Sequence, residues 1–211
     1  MTELLLVRHG QSYANIAGRW DGWSDDELTP LGRMQSEALA RRLVREYGGR
    51  ITALYSSPLN RALQTAQIIG PVLGLCPIVV ENLKEINFGE LSGITLERMA
   101  REYPALFARW RDKSDMEFRW PGGEKRSDFF RRVARACDAI ILKHPDEMVL
   151  VVAHGGTLRA CLAYLLPDQF AQWWGYNVSN CGLTHVSIEG GQARLITLND
   201  DTHLSIGGEE Q

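Results

Sequence analysis

Two stretches far apart in the chain, LLLVRHGQS at residues 4–12 and LVVAHGGTL at residues 150–158, run apolar and then stop at a histidine followed by glycine. A neutral imidazole is a competent nucleophile or proton carrier near pH 7, since its unperturbed pKa is about 6.5. Each run reads as a strand buried on both faces, which puts His9 and His154 at strand carboxyl ends. In open α/β sheets ligands sit beyond those ends, and a following glycine lets the backbone turn closely. If the two strands are neighbours, both rings face one crevice.

Two arginines support an anion there. Arg8 adjoins His9, and Arg61 falls in the first turn of a helix predicted in SPLNRALQTAQIIGPVLG, with Ser57 as cap and Pro58 in the first turn. The helix dipole disfavours a cation at that end by roughly 0.3–1 kcal/mol, a cost that makes sense if the guanidinium helps to hold an anion. A single histidine at a strand end, or a single arginine in a first turn, is most often an ordinary polar surface residue. Four such groups on three strand ends, beside helix N-termini, describe a phosphate pocket.

Strands are expected at 4–8, 51–56, 77–80 and 148–153, and helices at 31–46, from Ser57 onward, at 127–142 and at 155–165. The first helix shows its apolar spacing at Leu31, Met34, Ala38, Leu39, Arg42 and Leu43. NCGLTHVSIEGGQARLITL reads as a β-hairpin turning at Gly190-Gly191, and residues from about 200 to 211 as a flexible tail. The alternation predicts one three-layer α/β/α domain over residues 1–211, with a mainly parallel central sheet, helices on both faces and a C-terminal hairpin. Residues 95–123 are helical in pieces, broken at Pro104, and form a candidate lid. Its Arg109, Arg111, Arg119, Trp110 and Trp120 either approach a leaving group or pack the core of a helical cap.

At 211 residues, 45% hydrophobic and 23% charged, the chain can bury a full core. A net charge of −3 gives no whole-protein attraction to nucleic acid or anionic membrane, so any anion site is local. Cys76, Cys137, Cys161 and Cys181 lack metal-binding or redox spacing. LLLV is too short for a signal peptide or a span, so a reducing cytoplasm is the expected compartment. Trp173-Trp174 leaves two readings, an exposed surface such as a homodimer would cover, or a packed core pair.

In order along nearly the whole chain, these motifs resemble the histidine phosphatase superfamily, the phosphoglycerate-mutase-like proteins, and its small phosphatase branch. LVRHGQSYAN is similar to the family's opening signature, GWSDDELTPLGRMQ to its substrate loop and following helix, and SSPLNRALQTA to its second arginine motif. LKEINFGELSG resembles the segment that supplies the acid, PGGE a recurrent loop, VVAHGG the second histidine motif and NDDTHL the ending of small phosphatase members. The resemblance implies that His9 is the nucleophile, that Arg8, Arg61 and His154 hold the phosphoryl group with Asn15, and that Glu85 is the proton donor. It also sets Gln11, Ser12, Gly155 and Trp23 beside phosphate and substrate. Spacing alone does not choose Glu85 over Asp21, Asp25, Asp26, Glu27, Glu90 or Glu124, all in loops. Gln11 stands where Glu is frequent, Ala14 where an aromatic often precedes the Asn, and ELSG replaces a Trp-Glu pattern. These departures bear on substrate preference rather than chemistry.

The implied reaction is hydrolysis of a small phosphomonoester through phosphohistidine, with a backbone carbonyl in the Gly10 turn fixing the His9 tautomer. Arg8, Arg61 and a protonated His154 would stabilise the transferring group, and Glu85 would protonate the leaving alkoxide. No metal or cofactor is implied, and the sequence has no HExxH or P-loop motif. Within the family the alternative is a bisphosphate-dependent mutase, which would be longer between the acid and PGGE. The alternative from another class is a regulator that binds phosphate ligands without turnover, which would have lost one of these groups.

Overall fold

The computed structural model describes residues 1–207. Its strands are β1 (Thr2–Arg8), β2 (Arg19–Trp20), β3 (Ile51–Ser56), β4 (Ile78–Val79), β5 (Ile94–Thr95), β6 (Met148–Ala153), β7 (Leu183–Glu189) and β8 (Gln192–Asp200). Its helices are α1 (Tyr13–Ile16), α2 (Pro30–Tyr47), α3 (Asn60–Leu73), α4 (Leu96–Glu102), α5 (Pro104–Arg111), α6 (Arg126–Lys143) and α7 (Gly155–Leu165). The main sheet runs β4-β3-β6-β1-β7-β8; β4, β3, β6 and β1 are parallel, and the β7–β8 hairpin joins antiparallel.

Apolar runs without polar alternation make β1 and β6 central because both faces are covered. Leu4 and Leu6 join Val149 and Val151 in a core closed by Phe129 and Val133 of α6 and Leu158 and Leu162 of α7. Leu5 and Val7 join Leu150 and Val152 in the opposite core, closed by Leu39 and Leu43 of α2 and Ala66 and Ile69 of α3. The three-layer expectation is therefore met, and β1 and β6 are direct neighbours with Arg8 opposite Ala153. A third cluster, Leu91, Ile94, Met99, Phe118 and Trp120, forms an aromatic cap over the carboxyl ends with the β2–β5 pair. No described helix is long and apolar enough to cross a membrane.

Several expectations need correction. Leu31 and Met34 are 48% and 62% exposed, because α2 turns its small residues Gly32 and Ser36 inward instead. Ser57 does not cap α3, which starts after Leu59; its hydroxyl binds His154. The tail is built into the fold as far as residue 207: Arg42, buried on α2, bonds the Asp200 carboxylate and His203 Nδ1, and Thr202–Gly207 is a short helical turn. Residues 208–211 lie outside the described residues.

Gly32 decides how closely α2 approaches the first histidine turn. A methyl group on Gly32 would lie 2.0 Å from the Gln11 carbonyl oxygen, and one on Gly10 would lie 2.4 Å from the Gly32 oxygen. The two backbones meet bare, and the Thr29 side chain caps α2 at Gly32 N–H while also reaching Gln11. Gly32→Ala is expected to cost about 1–3 kcal/mol in urea unfolding, as overpacking does. It should also displace the His9 turn; unchanged stability and unchanged phosphate-ester turnover would refute this close packing.

Candidate active site

His9 leaves β1 with its N–H on the Ala153 carbonyl at 3.0 Å, and His154 follows Ala153 at the end of β6. Parallel register thus brings both imidazoles to one level, with ring centroids 5.2 Å apart. His9 Nδ1 lies 2.7 Å from the Gly10 carbonyl oxygen. A carbonyl only accepts, so Nδ1 carries the hydrogen and Nε2 keeps its lone pair. The carbonyl of His9 accepts from Asn180 Nδ2, which also donates to Asn15 Oδ1, and Gly10 N–H donates to Thr65 of α3. The turn is held from three directions.

Burial and the charges of Arg61 and Arg8 push His9 well below the usual histidine range, outweighing the Gly10 carbonyl. Burial, Arg61, His9 and Arg8 do the same to His154. Both rings are therefore neutral in the ligand-free protein at physiological pH, so the protonated His154 expected in the transition state would gain its proton with the substrate. His154 Nε2 lies 2.7 Å from the Ser57 hydroxyl at the end of β3, and its Nδ1 is buried without a protein partner among the described residues.

The guanidiniums are held by carbonyls rather than by carboxylates. Arg8 Nη1 donates to Val178 O, and Arg61 donates to Ser24 O and Gly22 O. Arg8 Nε is a further buried nitrogen with no protein partner among the described residues. Burial lowers both arginines from their ordinary values, with Glu85 opposing the shift in each. Cations desolvated in this way are a pre-set receptacle for an anion.

Glu85 stands across from them at the start of α7. Its Oε2 accepts from Gly156 N–H and its Oε1 from Ile86 N–H, both at 2.8 Å. Gly156 must be glycine there, because a methyl group would sit 2.3 Å from the carboxylate. Arg132 of α6 donates to the carbonyls of Asn82, Lys84 and Glu85 and is paired with Glu124 of the PGGE loop. Arg132 and Asn180 position the site, and neither stood out in the sequence: Arg132 is one of several arginines on the polar side of α6.

These groups open onto a cavity of about 440 Å³. Arg8, His9, Ser12, Asn15, Arg61, Glu85 and Gly155 line it, as the sequence reading expected. His154 packs behind His9 rather than on the cavity wall. Two further predicted residues do not reach the wall. The Gln11 side chain accepts from the Thr29 hydroxyl, and Trp23 donates its indole N–H to the Glu85 carbonyl at 2.6 Å under the Lys84 ammonium.

The cap combines both readings offered for it. Phe118 and Trp120 are core, and Trp20, Trp110 and Trp120 also wall the cavity. Arg109 and Arg119 are half-exposed and turned to Asp115 and Asp128, and Arg111 stands over Phe107. The cap cations on the cavity are Arg19, Lys113 and Arg126 instead. Trp173 ties the cap down through Lys113 O, whereas Trp174 is exposed at the cavity rim.

Residues 4–201 match the family model of the histidine phosphatase superfamily (branch 1). Phosphoserine phosphatase 1 of Hydrogenobacter thermophilus is 32% identical over 205 residues, covering 97% of this chain and 95% of that protein. The metal-independent phosphoserine phosphatase of Arabidopsis thaliana is 39% identical over 163 residues, or 76% of this chain and 67% of the relative. Among solved structures, the H9A mutant of Entamoeba histolytica phosphoserine phosphatase in complex with phosphoserine is similar with TM-score 0.83 at 27% identity, covering 97% of this chain and 100% of that one. Mycobacterial glucosyl-3-phosphoglycerate phosphatase is similar with TM-score 0.83 at 32% identity, over 94% of this chain and 98% of that one. The chain belongs to branch 1 of the histidine phosphatase superfamily and is a phosphomonoester hydrolase of that type.

Proposed function

We propose that this phosphatase hydrolyses small phosphomonoesters in two displacements through a phosphoryl group carried on His9. The observation that carries the reading is the His9 tautomer: with Nδ1–H committed to the Gly10 carbonyl, Nε2 is the nucleophilic nitrogen, and the ring is neutral when substrate arrives. Arg8 and Arg61 take the equatorial phosphoryl oxygens, Arg8 using the Nε that has no protein partner. His154 Nε2 accepts from the Ser57 hydroxyl, which leaves Nδ1–H, without a protein partner among the described residues, close to the His9 ring. Asn15 and the Gly155 N–H at the opening of α7 complete the cradle.

Glu85, carrying a proton taken up with the arriving substrate, gives it to the departing alkoxide as the P–O bond breaks and the Nε2–P bond forms. The same carboxylate then takes a proton from water as that water displaces phosphate from His9, returning both residues to their starting states. Two backbone N–H bonds fix the carboxylate for this work. The relatives named for phosphoserine and glucosyl-3-phosphoglycerate support a small phosphorylated metabolite as substrate, and the one named metal-independent supports turnover without an added ion.

His9→Ala is expected to lower kcat by about 10⁴-fold or more and to abolish an acid-labile, alkali-stable phosphoryl adduct that mass spectrometry places on His9 in the parent. Glu85→Gln should lower kcat about 10²–10⁴-fold on alkyl phosphates and far less on p-nitrophenyl phosphate, whose leaving group needs no proton. Activity that survives His9→Ala, or an adduct on another side chain, would sink the mechanism; turnover that vanishes with chelator would remove its metal independence.

The ring states are open to direct measurement. A histidine whose pKa is lowered by burial and neighbouring cations stays deprotonated until the pH falls below that lowered value. In NMR titrations of the ligand-free protein, His9 and His154 should therefore still be neutral as pH passes down through 6.5. Midpoints at or above 6.5 would contradict the assignment.

A further inference from the structure

Beyond the phosphoryl cradle the cavity carries cations that the reaction does not use. Arg159 is the fifth residue of α7, and helical side chains point back toward the N-terminus, so its guanidinium lies over Gly155. A methyl group on Gly155 would sit 3.4 Å from Arg159 Nη1 and 3.8 Å from Arg8 Cζ. The two guanidiniums flank one backbone step. The same segment pins both: Arg159 Nε donates to Tyr176 O at 2.9 Å, and Arg8 Nη1 donates to Val178 O at 2.9 Å.

Their remaining donors differ in what they meet. Among the described residues, neither terminal nitrogen of Arg159 makes a hydrogen bond or an ion pair, and both belong to a residue on the cavity wall. Glu85, the carboxylate that feels this charge, already accepts two backbone N–H groups. Arg126 is a different case, because its guanidinium is used up on the carbonyls of Trp110, Asp112 and Asp115. Lys113 adds a second cation on the wall, donating to Trp110 O and lying 3.3 Å from the centre of the Trp110 ring. Burial and the charges of Arg126, Arg111 and Arg159 push its ammonium down to about 8, so it feels the Arg159 charge. The acid on this wall besides Glu85 is Asp21, which faces Arg19 at 3.8 Å.

We infer that Arg159, supported by Lys113, is a second anion site that grips a carboxylate or phosphate on the leaving group, next to the bridging oxygen. The inference rests on the hydrolytic reading and names its substrate class: phosphomonoesters whose alcohol bears its own negative charge. The planar guanidinium fork matches such a group in two parallel hydrogen bonds, and the neighbouring ammonium adds a point charge.

Two substrate pairs test it: O-phosphoserine against phosphoethanolamine, which differ by one carboxylate, and 1,3-propanediol bisphosphate against propyl phosphate. The parent should favour the charged member of at least one pair by roughly 10- to 100-fold in kcat/KM, mostly through KM. The pair that shows the preference identifies the anion. Arg159→Met should bring that ratio close to one, and Lys113→Met should reduce it less. A parent ratio near one in both pairs overturns the inference. So does an Arg159→Met variant that slows both members equally, since Arg159 would then serve the phosphoryl group. Should Arg159→Met not fold, Arg159→Lys keeps the charge without the fork and must still lower the ratio; an unchanged ratio overturns it. Phosphorylation of His9 by p-nitrophenyl phosphate in the parent is read separately, so failure of the hydrolytic mechanism is told apart from failure of the second anion site.

Discussion

The site depends on positive charge that is taken out of water without a matching anion. Arg8, Arg61 and Arg159 are wholly or largely removed from solvent, and burial is the leading influence on each. The carboxylate that acts on all three is Glu85. A buried ion left unpaired is expensive, several kcal/mol each even after relaxation. The fold meets much of that expense with peptide carbonyls from Gly22, Ser24, Tyr176 and Val178, which accept hydrogen bonds without cancelling the charge. What is left over is an electrostatic potential that, added to the larger effect of burial, holds both imidazoles neutral, and that an arriving anion would relieve.

The same logic explains why the acid needs a scaffold of its own. Glu85 sits in a loop between two short helical turns, a place with no regular hydrogen bonding to fix it. Arg132 supplies the missing order by gathering the carbonyls of Asn82, Lys84 and Glu85 while the Glu124 carboxylate neutralises it. Trp23 adds a hydrogen bond to the Glu85 carbonyl from the opposite side. Side chains that never touch substrate hold the carboxylate against α7 and so set its distance from the phosphoryl cradle.

How much of this was legible follows from where each constraint is written. The sheet was readable because a strand buried on both faces must be continuously apolar, and the histidines because two such runs end alike beside two arginines, where one alone would have meant little. Choosing Glu85 from among seven loop carboxylates required the resemblance of LKEINFGELSG to a family motif, since loop spacing carries no period. Gln11 and Trp23 were placed beside the substrate by the family resemblance, yet the Gln11 side chain turns to Thr29 and the Trp23 indole to the Glu85 carbonyl. Arg132, Arg159 and Asn180 were illegible for a common reason: each acts through a carbonyl or a cavity wall contributed by residues distant in the chain. Leu31 and Met34 misled because helical periodicity marks an apolar face, whereas close approach to the His9 turn demanded small residues at Gly32 and Ser36.

Chemistry and selectivity are thus built from different parts of the molecule. His9, His154 and Ser57 stand at the ends of three adjacent parallel strands, where ladder register fixes them to within a fraction of a residue step. The far wall is made by Trp20, Trp110 and Lys113 in a cap whose own core is a small aromatic cluster separate from the main sheet. Changes in that cap leave the strand ends where they are, so the leaving-group wall can vary without disturbing the nucleophile. The solved phosphoserine phosphatase and glucosyl-3-phosphoglycerate phosphatase structures to which this chain is similar both match its fold with TM-score 0.83. Arg159 lies where the two parts meet, on α7 and on the same cavity wall as Trp110 and Lys113 of the cap.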